Sequence, residues 1–126
     1  MDIGMLSPST LAFVGDAYYG LLVREMLAQV NRPVGELHAD SVKFVKAGAQ
    51  AEAFKLIEDK LTEKELAIYK RGRNAHVNSI PKNSTVGEYH SATGIETLFG
   101  YLHLTGNDER AQELFSIIKE SFKGRL

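Results

Sequence analysis

Two stretches of the chain are apolar nearly all the way round, and three more carry apolar residues at the three- and four-residue spacing of a helix face. From Ser7 to Gln29 one helix is predicted. Ser7 stands at the cap position, Pro8 in the first turn where a missing N–H costs nothing, and no later proline interrupts the run. Leu11, Phe13, Val14, Tyr18, Tyr19, Leu21, Leu22 and Val23 leave it no polar side, so it is expected in the middle of a domain. After a break at Asn31-Arg32-Pro33, Val34 to about Asp59 reads as helix, bent or divided at Gly48, with Leu37, Val42, Val45, Phe54 and Ile57 as contacts. Thr62 and Glu65 form a capping box, and Leu61 can staple onto Leu66, for a helix ending near residues 72–75. Residues 88–104 form the second all-apolar helix, and Asn107 is expected to cap a last amphipathic one through Phe122. No strand or repeat is visible, so the class is all-α with five to seven helices.

Each all-apolar helix carries one acid in its middle. Asp16 has Ala12 and Gly20 four residues to either side, and Glu96 has Ala92 and Gly100 in the same places. Small residues at that spacing let helix backbones approach closely, so the two helices are expected to cross with both carboxylates facing one cavity. A carboxylate in apolar surroundings must be paired, hydrogen-bonded, metal-bound or neutralised. A hard divalent ion would relieve the repulsion of two; a partner Arg or Lys for each acid is the alternative.

At 126 residues, 44% hydrophobic and 25% charged, the chain is expected to form a single globular domain over 1–126. Disulfides, zinc thiolates and cysteine nucleophiles are excluded, because there is no cysteine. No apolar run reaches the roughly eighteen residues of a membrane span, and the start lacks the basic region of a signal peptide, which makes the cytoplasm the expected compartment. His38, His76, His90 and His103 show no ligand spacing. Net charge is −1, but residues 66–87 contain no acid, and Lys70, Arg71, Arg73 and Lys82 give them +4 against −5 for the remainder. Much of that segment, from His76 to Gly87, has the composition of a loop. Lys70, Arg71, Arg73, Asn74 and Lys82 are candidates for phosphate and sugar contacts; simple solubility is the competing explanation.

Leu11-Ala12-Phe13-Val14-Gly15-Asp16-Ala17 resembles the signature helix of the ribonuclease III catalytic domain, and Glu96-Thr97-Leu98-Phe99-Gly100-Tyr101-Leu102 resembles that family's second acidic helix. Lys70-Arg71-Gly72-Arg73-Asn74-Ala75 followed by Pro81-Lys82-Asn83 looks like the stripped-down bacterial form, Mini-ribonuclease III, a catalytic domain without the usual double-stranded-RNA-binding domain. The resemblance covers nearly the whole chain, whose length leaves no room for that extra domain. It implies the helical fold of the ribonuclease III catalytic domain and a homodimer packed through Phe13 across a two-fold axis. Asp16 and Glu96 become, by the same resemblance, the catalytic, Mg²⁺-binding acids. Family acids are missing at Ser9, Ala12 and Thr93; Thr93 is a candidate for orienting a metal-bound water, or else it bonds its own helix backbone.

What the resemblance implies is a Mg²⁺-dependent endoribonuclease that hydrolyses double-stranded RNA and matures precursor 23S (large-subunit) ribosomal RNA, with a ribosomal protein as a further partner shaping the RNA. Duplex RNA hides its bases in a deep groove, so recognition by shape and backbone is expected. Two other readings compete. One is a catalytically silent RNA-binding or ribosome-assembly module on the same fold, against which the retention of both acids argues. The other is a helical protein adaptor, which has no need of the basic 70–87 segment.

Overall fold

The computed structural model describes residues 1–75 and 82–125. Among them are six α-helices: α1 (Pro8–Leu27), α2 (Val34–Val45), α3 (Ala47–Ile57), α4 (Glu63–Arg73), α5 (Val86–Leu104) and α6 (Asp108–Phe122). Short 3-10 turns sit at Ile3–Met5, Glu58–Lys60 and Lys123–Arg125, and no strand occurs among the described residues.

The local capping signals act as their chemistry requires. Ser7 Oγ accepts from Thr10 N at 3.1 Å and Pro8 fills the first turn of α1. Thr62 and Glu65 exchange both bonds of a capping box at the start of α4. Thr85 and Glu88 do the same for α5, which therefore begins inside what the composition marked as loop; residues 76–81 of that segment lie outside the described residues. Helix α5 ends in a Schellman motif, with Gly106 at φ 77°, Gly106 N bonded to His103 O and Asn107 N to Leu102 O.

Three expectations are corrected. The break between α2 and α3 falls at Lys46, whose ψ of 152° is extended, and not at Gly48. Gly48 lies in the first turn of α3, where a Cβ would meet Glu88 Oε2 at 3.0 Å, so its smallness serves packing. Asn107 occupies the cap position of α6, but its amide donates to Thr105 Oγ1 and accepts no bond from the first turn. Finally, the middle of the fold belongs to α5, which packs against α1, α3, α4 and α6. Helix α1 buries one stripe, including Leu11, Tyr18, Tyr19, Leu22, Val23 and Leu27, and leaves the opposite apolar face uncovered, with Phe13 80% exposed and Leu21 50%.

The core joins these stripes. Tyr19 stands edge-on to Phe99 and Phe115, and Phe44 of α2 meets Phe122 of α6. Two polar ties lock the periphery. Arg110 of α6 grips both carboxylate oxygens of buried Glu65 at 2.9 Å and also reaches Lys60 O, which holds α6 to the start of α4. His103 Nδ1 lies 2.7 Å from Asp108 Oδ1, which ties the end of α5 to the start of α6.

Candidate active site

The α1–α5 crossing is built on two glycines. A Cβ on Gly15 would stand 1.6 Å from Glu96 O, and one on Gly100 would stand 1.9 Å from Leu11 O, so backbone rests directly on backbone. Gly20, expected to share in this approach, has nothing within 4 Å. The residues flanking the crossing are Asp16 on α1 and Glu96 on α5.

The two acids share this site but not an environment. Asp16 is exposed, which corrects the expectation of two acids in one buried setting, while Glu96 is half-buried. Burial first, and the nearby Asp16 carboxylate second, push the Glu96 carboxyl from its ordinary 4.5 up to about 7. Gln50 of α3 opposes that push: its Nε2 donates to Glu96 Oε2 at 3.4 Å. Behind them lies Tyr19, fully buried with no partner for its hydroxyl, and held protonated by burial and by the charge of Glu96. No Lys or Arg forms an ion pair with Asp16 or Glu96 among the described residues. The pairing of each acid with a cation, the alternative weighed from sequence, is absent there.

Beside Asp16 an open groove of about 700 Å³ runs along the uncovered face of α1 toward Ser41 and Val45 of α2. Its walls include Phe13, Val14, Ala17 and Leu21 together with Asp16 and Arg24, and Glu96 is not among them, so the groove is a mostly apolar surface that reaches one of the two carboxylates.

The basic residues divide. Lys70, Asn74 and Lys82 are exposed. Arg73 is half-buried; its Nε donates to Asn74 Oδ1 at 3.2 Å and its guanidinium stands 5.9 Å from the Tyr69 ring centre. Arg71 does not present a free guanidinium: Nη1 donates to Gly4 O at 2.9 Å and Nη2 to Leu6 O at 2.7 Å, so it ties the N-terminal turn to the end of α4. Two of its nitrogens are thus engaged by backbone carbonyls, and the side chain is half-buried. The end of α4 lies against the part of α5 that carries Glu96, because Gly72 faces Thr97 so closely that a Cβ would stand 2.2 Å from Thr97 Oγ1. Thr93 bonds its own helix, Oγ1 to Tyr89 O at 3.0 Å, which is the alternative to a water-orienting role.

Two contributors escaped the sequence reading. Gln50 is 2% exposed within a stripe of Ala49, Ala53, Phe54 and Ile57, and an amide at that periodic position was the signal available. Tyr19 carried none, since a tyrosine in an apolar helix reads as core.

A helical domain whose two facing acids sit on glycine-crossed helices defines a class, and comparison with known proteins identifies it. Residues 9–107 match the Ribonuclease III domain. The chain is 50% identical over 113 residues to Mini-ribonuclease 3 of Thermoanaerobacter sp. (strain X514), covering 89% of this chain and 80% of that one. It is 41% identical over 128 residues to Mini-ribonuclease 3 of Streptococcus pneumoniae, covering 98% and 99%. A crystal structure of a Fusobacterium nucleatum protein superposes with a TM-score of 0.88 at 30% identity, covering 95% of this chain and 98% of that one. The chain belongs to the ribonuclease III family, in its Mini-ribonuclease 3 branch, and is an endoribonuclease, a hydrolase of that type.

Proposed function

We propose that this chain is a Mg²⁺-dependent endoribonuclease that cuts double-stranded RNA as a cytoplasmic homodimer, each 1–126 chain contributing one catalytic domain. The observation that carries the reading is the juxtaposition of Asp16 and Glu96 at the α1–α5 crossing without a cationic partner among the described residues. The donor set fits the ion. Carboxylate oxygens are hard ligands, Mg²⁺ is commonly held by one or two of them with water and substrate phosphate, and Glu96, whose ionisation is opposed by burial and by the Asp16 carboxylate, gains from a divalent neighbour. Asp16 and Glu96 would hold it, and the bound ion would supply polarisation of the scissile phosphate and a lowered pKa for water. Hydrolysis joins a water oxygen to phosphorus and breaks the bond to the 3′ oxygen.

The remaining residues bind and orient. Lys70 and Arg73 lie on α4 and Asn74 at its C-cap, beside the helix that bears Glu96, and Lys82 lies shortly before that helix begins; all four are assigned to phosphates and sugars of a duplex read by shape. Arg71 supports them by holding the N-terminal turn. The uncovered face of α1 around Phe13 is apolar enough to meet its copy across a two-fold axis, which would give the all-apolar helix the burial its sequence calls for. No described helix is long and apolar enough to cross a membrane, in keeping with a cytoplasmic enzyme. The substrate proposed is precursor 23S ribosomal RNA, its fold assisted by a ribosomal protein, in ribosome biogenesis.

A silent RNA-binding module remains the second reading. It is favoured by Ala12 and by the self-bonded Thr93, which leave no group of three potential metal ligands of the His, Cys, Asp or Glu kind among the described residues. Incubating the purified protein with a long duplex RNA, with and without Mg²⁺, beside Asp16→Asn and a single-stranded control, separates the two. Metal-dependent cutting of duplex alone, lost in the variant, is expected; binding without cutting, on that RNA and on a precursor ribosomal stem, would establish the module instead.

A further inference from the structure

Gln50 stands out as a polar side chain whose burial packing does not explain. It lies in the first turn of α3, its backbone N bonded to Lys46 O at 3.0 Å, and only 2% of its surface meets solvent. An amide buried among Ala49, Ala53 and Phe54 costs stability unless its hydrogen bonds are made, and an apolar residue of the same size would pack there at less cost. Its Nε2 reaches across 46 residues of sequence to Glu96 Oε2 at 3.4 Å.

That contact selects one carboxylate oxygen. With Oε2 engaged by a buried group fixed on a helix, Oε1 is the oxygen free of that contact. Acids that ligate metals are themselves commonly held by outer hydrogen-bond partners, and losing such a partner typically costs about 10- to 100-fold in metal affinity or activity. We infer that Gln50 is a positioning residue for Glu96, which holds the carboxylate in the rotamer that presents Oε1 to a divalent cation. The inference rests on the reading of Glu96 as a metal ligand.

The test compares wild type, Gln50→Met and Glu96→Gln by Mn²⁺ binding, read from the electron paramagnetic resonance signal of the free ion, and by cleavage of duplex RNA over a range of Mg²⁺. Methionine keeps the length of the side chain and removes the donor. The expected result is a 10- to 100-fold weaker Mn²⁺ affinity in Gln50→Met, with cleavage recovered at high Mg²⁺ and an unchanged KM for RNA there. Wild-type Mn²⁺ affinity and Mg²⁺ dependence in Gln50→Met would overturn the inference while Glu96→Gln still lost binding. Unchanged binding in Glu96→Gln would instead bring down the metal-ligand reading, and this inference with it. A second measurement needs no variant at position 50: the side-chain amide resonances of Gln50 should shift as Mg²⁺ is added to the wild type and stay still in Glu96→Gln. Resonances that stay still in the wild type while those around Asp16 move would also overturn it.

Discussion

Gly15 lies against the backbone of Glu96 so tightly that a Cβ on it would stand 1.6 Å from the carbonyl oxygen and 2.5 Å from the carbonyl carbon. Neither atom can turn aside as a side chain would. Gly15→Ala must therefore push α1 off α5, and it is expected to cost about 3 kcal/mol or more, at the upper end for an overpacked core. Urea denaturation checks this, and a loss under about 0.5 kcal/mol would mean the helices slide apart freely. Cleavage should fall as well, because the same contact sets the spacing of Asp16 and Glu96.

Glu96 makes metal-free stability depend on pH. Its folded carboxyl titrates at about 7 against an ordinary 4.5, so between those values the folded chain holds more protons than the unfolded one. Stability then falls as pH rises through that window. Glu96→Gln removes the slope and should be the more stable protein at pH 8, by on the order of 1–3 kcal/mol, with the gap shrinking toward pH 4.5. Thermal melts in chelator at both pH values decide it; parallel curves would refute it. Added Mg²⁺ should narrow the gap at pH 8.

Asp16 is exposed, so Asp16→Asn should leave the fold within about 0.5 kcal/mol of wild type. Duplex cleavage should nevertheless drop by more than the roughly 100-fold that loss of an outer partner costs. Normal cleavage by a folded Asp16→Asn would remove this residue from the site.

Arg71 and Lys70 are neighbours with different tasks. Arg71→Ala loses two charge-assisted bonds to Gly4 O and Leu6 O and should cost about 1–2 kcal/mol, with faster amide exchange at residues 3–6. Lys70→Ala should leave stability unchanged, weaken duplex binding and flatten its salt dependence. A reversal of these two phenotypes would make Arg71 the RNA contact and Lys70 the structural residue.

Phe13 is 80% exposed on one chain. Phe13→Asp should turn a dimer into a monomer in analytical ultracentrifugation and keep the helical circular dichroism. Wild type that sediments as a monomer at micromolar concentration would remove α1 as the interface.

Much of the architecture was legible along the chain because its signals are local. A cap such as Ser7 or a box such as Thr62–Glu65 works within one turn, so residue identity suffices. The errors fall where the deciding partner is remote. Gly48 reads as a hinge until Glu88 is seen packed on it. Arg71 reads as a free cation until two carbonyls from the N-terminal turn occupy it. Asn107 reads as a cap although Thr105 takes its amide.

The two acids divide along the same line. Sequence alone determined that Asp16 and Glu96 sit mid-helix among small residues, and that the class is all-α among the described residues, since periodicity and capping are written into neighbouring positions. It also read α1 as covered on every side, whereas the single chain leaves the face with Phe13 and Leu21 open. Only the tertiary structure decided that α5 rather than α1 is central, that Gly15 joins Gly100 in the crossing while Gly20 does not, and that Gln50 reaches Glu96. It also made Asp16 exposed and Glu96 half-buried, and so gave two chemically similar side chains different electrostatics. Burial and charge environment are set by atoms that folding brings from far along the chain, and no local pattern encodes them.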